Sequence, residues 1–309
     1  MKPGVKIVGT GSFLPQKIYT NKYLETIVDT HDEWIQRTLG IRERRIASIE
    51  ELTSDLAWKA GERAIENSGL AKADIDLIIV ATSTPDRLCP STACLVQDKL
   101  GIYNAVAFDV SAVCSGFLFA MSIASQYIKN EIYNNILIIG ADTFSKITDW
   151  KKRDCVFFGD GAGAAILSPG NEGFLIFRLY SDGRGKDAFT VENKYFKMDG
   201  KAIYEIGITM LPQAINTVLR DAGLSINDID YLIPHQPSIG ILKKTAEIIG
   251  LPFEKVKTNM DKYANTSAGT IPILLDELHR AGEFKKDKII LFAAIGSGWT
   301  WGAAILKWS

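Results

Sequence analysis

Residues 68–80, SGLAKADIDLIIV, and residues 222–234, AGLSINDIDYLIP, follow one pattern. In each, Gly-Leu closes an amphipathic stretch and three residues follow. Asp-Ile-Asp then leads into an apolar run, with Asp74, Ile75 and Asp76 in the first copy and Asp228, Ile229 and Asp230 in the second. The copies are 154 residues apart. A second match runs in the same order. FFGDGAGAAIL at 157–167 and AIGSGWTWGAAIL at 294–306 each set a glycine-rich segment before Gly-Ala-Ala-Ile-Leu, at a spacing of 139. Ordered self-similarity of this kind marks an internally repeated architecture. It predicts two related halves, 1–170 and 171–309.

Within each half, stretches of helical periodicity (54–69, 210–223, 271–282) alternate with short apolar runs (75–82, 135–142, 288–296). That alternation predicts an α/β fold with sheets covered by helices. GFLFAMSIASQYI (116–128) is apolar on nearly all sides, as a helix buried between layers must be.

Composition narrows the function classes. The chain has 309 residues, 47% hydrophobic and 23% charged, with a formal net charge of -1, so no basic face recommends nucleic acid as a partner. The start, MKPGVKIVGTGSF, reads as a strand and turn rather than a secretory signal, and no apolar run is long enough to span a membrane. Cys89, Cys94, Cys114 and Cys155 lack CxxC spacing, which fits reduced thiols in a cytoplasmic protein and offers no zinc site or other metal site.

Cys114 stands apart from the other three. It lies at the start of the buried helix, where free amides and the helix dipole are expected to stabilise a thiolate and lower the thiol pKa. Ser115 and Gly116 are expected to keep the approach to sulfur open. An intermediate offset of 151 carries Cys114 onto Asn265 in DKYANTSAGTIPILL (261–275), so the two should meet near a pseudo-twofold axis. Of the histidines, His31 and His279 read as exposed or helix-end residues. His235 follows the duplicated strand at its carboxyl end, where α/β sheets place ligands, and taken alone it suits a structural or a functional role. GDGAGAA (159–165) reads as a tight turn, whereas the amides of GSGW (296–299) could line an oxyanion hole.

DVSAVCSGF (109–117), PHQPS (234–238), ANTSAGTIP (264–272), FFGDGAGAA (157–165), VDTHDEWI (28–35) and GIRERRI (40–46) together resemble the β-ketoacyl-acyl carrier protein synthase III family of the thiolase superfamily, along the whole chain. The resemblance implies a thiolase-like five-layered αβαβα fold, a homodimer and a catalytic triad of Cys114, His235 and Asn265. Cys114 would accept an acyl group from acyl-CoA as substrate, with no permanently bound cofactor. His235 and Asn265 would bind the thioester carbonyl of a malonyl unit on acyl carrier protein. Backbone amides of Cys114 and Ser297 would form the oxyanion hole.

Departures from the family pattern bear on substrate and partner. Cys89 stands where a bulky residue reaches across the dimer into the acyl pocket, which implies a primer larger than acetyl. Ile295 replaces a phenylalanine beside the nucleophile. Thr30, Trp34, Arg37 and Arg153 match the CoA-binding positions, the last two across shifted loops. Gln236, Pro237, Ser238, Ile239 and Gly240 lack the carrier-docking arginine, for which Lys243 and Lys244 could substitute. Two enzymatic readings follow: decarboxylative Claisen condensation, or an acyltransferase of the same fold serving an oxygen or nitrogen acceptor.

Overall fold

The computed structural model describes residues 4–309; Met1–Pro3, the first residues of the strand expected at the start, lie outside them. Each copy of the opening motif folds the same way. Helix Thr53–Ser68 ends on Gly69 (φ 74), and helix Gly200–Ala222 on Gly223 (φ 69), a left-handed cap that glycine adopts without a Cβ penalty. A short 3-10 turn follows in both, Lys72–Asp74 and Ile226–Asp228. Asp74 accepts the Ala71 amide at 2.9 Å and Asp228 the Ser225 amide at 2.7 Å, each closing its turn. The second aspartate of each copy looks the other way. Asp76 accepts the amides of Asn134 and Asn135 at 2.8 and 3.0 Å, and Asp230 the Ile289 amide at 2.8 Å, pinning the lead-in to the neighbouring strand. Ile75 and Ile229 between them are fully buried.

The strands that follow build two sheets of one design. In the N-terminal sheet the order is Gly4–Phe13, Gly161–Gly170, Ile136–Asp142, Leu77–Ala81, Val106–Val110, with the first two junctions antiparallel and the last two parallel. The C-terminal sheet repeats it with Phe174–Ser181, Thr300–Lys307, Ile289–Gly296 and Tyr231–Pro234. Its fifth place holds a single parallel bridge, Leu232 to Val256.

Three apolar clusters separate five layers. Helices Gly116–Lys129 and Thr270–Arg280 lie between the sheets, where Phe117, Met121, Ile271 and Leu274 pack with Ile79, Ile138, Ile233 and Phe292. Thr53–Ser68 and Thr92–Leu100 cover the outer face of the N-terminal sheet. Gly200–Ala222 and Ile239–Ile249 cover that of the C-terminal sheet. The fold is therefore the five-layered αβαβα arrangement. Among the described residues no helix is long and apolar enough to cross a membrane.

The glycines of GDGAGAA form no tight turn. From Gly161 onward they are strand, and a Cβ on Gly163 would come within 2.5 Å of the Ile273 amide nitrogen, so glycine there lets the central helix lie against the sheet.

Candidate active site

Cys114 sits in the 3-10 turn Val113–Ser115, which joins strand Val106–Val110 to helix Gly116–Lys129. Val113 has φ 47, in the left-handed region that a β-branched residue rarely enters, and this sharp bend brings the cysteine to the head of its helix. The two small residues after it serve packing rather than access. Ser115 is fully buried, its hydroxyl donating to Ala112 O at 2.7 Å and lying 2.7 Å from the Thr300 hydroxyl. A Cβ on Gly116 would stand 3.0 Å from that of Ala81.

The matching bend in the second half is at Ala264, φ 57, one residue before Asn265. Asn265 is anchored by backbone bonds to the 157–159 segment, its amide donating to Phe157 O at 3.1 Å and its carbonyl accepting from Gly159 at 3.1 Å. Its side-chain Oδ1 accepts the Ser267 amide at 2.8 Å. With the oxygen engaged, the Nδ2 donors are the part of the amide free to serve a ligand.

His235 extends strand Tyr231–Pro234, its amide donating to Ala293 O at 2.8 Å. It is 1% exposed, and burial pushes its pKa down to about 3, so the ring is neutral at physiological pH. Nδ1 is buried without a partner.

One cavity of about 490 Å³ gathers Cys114, His235 and Asn265, together with Ser297, Ile295, Trp34 and Arg37. Gly296 approaches the cysteine so closely that a Cβ there would meet the Cys114 amide nitrogen at 3.1 Å, which sets the Gly296–Ser297 turn beside that amide. The Ser297 hydroxyl is occupied elsewhere, donating to Phe189 O at 3.0 Å.

The thiol contradicts the expectation of a lowered pKa. Cys114 is half-buried at the cavity wall, and burial, aided by the negative charge of Asp142 and only partly opposed by Ser267, pushes its pKa up to about 12. Desolvation is the largest cause, and it keeps the resting sulfur a protonated thiol.

Other expected residues fall outside the cavity lining. Arg153 lies over the Trp34 ring, its guanidinium carbon 3.8 Å from the centroid. Thr30 is buried with an unpaired hydroxyl. Cys89 is exposed on the loop before helix Thr92–Leu100. Lys243 extends toward the Phe253 ring, 5.9 Å from its centroid, and Lys244 pairs with Glu247 at 2.7 Å, both on helix Ile239–Ile249. His279 is a helix-end residue, in the last turn of Thr270–Arg280, and its Nδ1 lies 2.9 Å from the Thr10 hydroxyl.

Two parts of the site gave no signal in the sequence. The first is an aromatic wall. Phe158 and Phe189 line the cavity, and both pack on Phe144 and Phe196 behind them, with Phe189 and Met198 supplied by the hairpin of strands Phe189–Glu192 and Tyr195–Met198. The second is Asp142, fully buried at the end of the central N-terminal strand. Its Oδ1 accepts the amides of Ser83 and Thr84 at 2.8 and 3.1 Å and the hydroxyls of Thr84 and Thr82 at 2.9 and 3.1 Å, while Oδ2 accepts the Ala268 amide at 3.1 Å. One carboxylate thus ties the turn after Asn265 to the N-terminal sheet.

Known proteins share this fold and sequence from end to end. The family described as 3-oxoacyl-[acyl-carrier-protein (ACP)] synthase III matches residues 108–183, and its C-terminal counterpart matches residues 219–308. The chain is 45% identical over 322 residues to a β-ketoacyl-[acyl-carrier-protein] synthase III of Clostridium acetobutylicum, covering 99% of both chains. It is 44% identical over 308 residues to the enzyme of that name from Geobacillus kaustophilus, again covering 99% of both. The crystal structure of 3-oxoacyl-[acyl-carrier-protein] synthase III from Aquifex aeolicus superposes with a TM-score of 0.97 at 42% identity, covering 99% of this chain and 100% of that one. A cysteine, a neutral histidine and an oriented asparagine at one cavity, in a fold and a sequence shared end to end with these synthases, place the chain in the β-ketoacyl-acyl carrier protein synthase III family of condensing acyltransferases.

Proposed function

We propose that the protein takes an acyl group from an acyl-CoA onto Cys114 and condenses it with a malonyl thioester on acyl carrier protein. The observation that carries this assignment of roles is the shared cavity of Cys114, His235 and Asn265. In the first step the thiol sulfur attacks the thioester carbonyl. The oxyanion that forms takes hydrogen bonds from the amides of Cys114 and Ser297, and CoA leaves as its thiol with the proton that the cysteine gives up. The raised thiol pKa means that this proton leaves during attack, not before it.

In the second step the malonyl thioester oxygen lies between His235 and Asn265. Loss of CO2 leaves an enolate whose negative charge both N–H groups stabilise. Its carbon attacks the acyl-cysteine carbonyl, the new C–C bond forms as the C–S bond breaks, and the departing thiolate takes one proton from solvent to restore the thiol. His235 suits a donor role rather than acid–base work because burial holds it neutral. With Nδ1 buried and unpaired, the tautomer that strands only a lone pair there carries its proton on Nε2. Ile295 and the aromatic wall exclude water from the carbanion.

The halves divide this labour, 1–170 supplying Cys114 and 171–309 supplying His235 and Asn265. The Arg153 guanidinium covers the Trp34 ring at 3.8 Å, and an adenine would part them to lie between the two flat faces, with Arg37 and Thr30 completing the CoA-binding set. The protein works as a cytoplasmic homodimer: Val106–Val110 is an edge strand, and near it Leu88 and Tyr103 are 100% and 74% exposed, apolar surface that a second subunit would cover. Cys89, beside Leu88, would then face the partner's acyl pocket, and its small size favours a primer larger than acetyl. Lys243 and Lys244 offer a docking point for the acidic carrier.

The test is direct. Acyl-CoAs from two to twelve carbons are offered, the intact mass is read for an adduct on Cys114, and malonyl-carrier protein is then added. The reading expects an adduct absent from Cys114→Ala, and then a β-ketoacyl product. Acylation without condensation would transfer the assignment to an oxygen or nitrogen acceptor, and acetyl-CoA as the best donor would overturn the primer inference.

A further inference from the structure

Resting on the donor roles just assigned to His235 and Asn265, we propose that Gln236 is a positioning residue for the condensation step. It fixes the spacing between those two donors. His235 and Asn265 arrive from different elements, one at a strand end and one after the short helix Met260–Tyr263, and no hydrogen bond joins their side chains. A single enolate oxygen can use both only if the two segments are held in register.

Gln236 makes that connection. It is fully buried, and it follows His235 directly. Its Oε1 accepts two successive backbone amides, Asn259 and Met260, each at 2.9 Å. Its Nε2 donates to Asn259 Oδ1 at 3.0 Å. These bonds grip the first turn of Met260–Tyr263, in which the Ala264 amide donates to Met260 O at 2.9 Å. The positive-φ bend at Ala264 then turns directly into Asn265. Behind Gln236 the network continues into the central layer. Asn259 Nδ2 donates to Glu277 Oε2 at 2.8 Å, and the Tyr263 hydroxyl donates to Glu277 Oε1 at 2.6 Å. Both ends of the short helix are thus moored to one carboxylate on Thr270–Arg280, and Gln236 moors it to His235.

The side chain of Gln236 is not among those lining the cavity, so the mooring acts through His235 and Asn265 alone. Cys114 is carried by a separate junction. The consequence is a split between the half-reactions. Loading of Cys114 needs the amides of Cys114 and Ser297 and is indifferent to the mooring, whereas decarboxylation and C–C bond formation depend on it.

The experiment compares wild type with Gln236→Ala and with Asn259→Ala, a milder change that keeps both backbone bonds to Oε1 while removing the acceptor of Nε2 and the link to Glu277. Acylation is followed by intact mass with acyl-CoA, and CO2 release and β-ketoacyl product with malonyl-carrier protein. Gln236→Ala is expected to acylate within about twofold of wild type and to condense about 10- to 100-fold more slowly, with Asn259→Ala intermediate. Equal loss in both half-reactions would reduce Gln236 to a structural residue, and no loss in either would remove it from the reaction. If Gln236→Ala fails to fold, the same split or its absence in Asn259→Ala decides. A wild type that acylates but never condenses overturns the donor assignment itself, an outcome distinct from either.

Discussion

Val113 and Ala264 both take a positive φ, 47 and 57, each one residue before a polar side chain of the cavity. The correspondence is 151 residues, the offset that relates Cys114 to Asn265. A non-glycine residue in this region costs on the order of 1–3 kcal/mol, so both halves store strain at the bend that aims their functional side chain. Val113→Gly is expected to relax it, raising stability by about 1 kcal/mol in urea denaturation while slowing acylation of Cys114 several-fold, because the turn loses its fixed direction. A variant that gains stability with no loss of acylation rate would show that the bend aims nothing.

Cys114 offers a chemical readout of its surroundings. With its pKa pushed up to about 12 by burial, the thiolate fraction grows about tenfold per pH unit throughout the accessible range. Iodoacetamide modification at Cys114, followed by mass, is therefore expected to accelerate log-linearly from pH 7 to 10. A plateau near pH 7 would restore the low-pKa thiol that its helix position alone suggests.

His235 links the site to stability. Its folded pKa of about 3 lies below its ordinary value of 6.5, so below 6.5 the unfolded chain binds the proton more readily than the fold does. Its contribution is complete above pH 6.5 and is lost as pH falls toward 3, at roughly 1.4 kcal/mol per unit. His235→Gln cannot take up that proton, and its unfolding free energy between pH 6.5 and 4 is expected to fall less steeply than that of wild type by this slope. Parallel curves would mean that the imidazole is already charged in the fold.

Asp142 accepts hydrogen bonds from three amides and two hydroxyls, and burial raises its pKa above the ordinary carboxylate range. Asp142→Asn turns an NH2 group toward those donors, for a loss of about 2–4 kcal/mol. Because the Ala268 amide is released, condensation should also slow more than acylation does. Calorimetry and the two half-reaction assays measure both effects.

The repeated sheet design, the buried helix and the pairing of Cys114 with Asn265 were legible because duplication leaves a linear trace: Asp74 and Asp228 do one job, Asp76 and Asp230 another, and an offset of 151 carries Cys114 to Asn265, whereas His235 rests on its place at a strand end and on the family resemblance. The thiol pKa was misread because a helix start is visible in sequence but the burial that overrides it is not. Asp142 and Gln236 left no trace of their connections for a different reason. Their partners lie far along the chain, Ala268 for one and Asn259 for the other, and contacts of that range obey no local period. The aromatic wall was hidden similarly, since Phe144, Phe158, Phe189 and Phe196 come from separate segments.

The C-terminal sheet ends in a one-residue bridge at Val256 where its twin has a five-residue strand, Val106–Val110. Two identical repeats would carry two identical sticky rims, and a particle with matching rims at opposite ends can add copies without limit. The two repeats instead end in unlike rims, a five-residue edge strand on one and a single bridge on the other, and a face built on the first has no equal on the second. At the offset of 151, residues 257–261 correspond to Val106–Val110, and instead of a strand they run into the short helix Met260–Tyr263 that precedes Asn265. The same inequality that leaves one rim short leaves room beside the cavity for the bend that turns into Asn265.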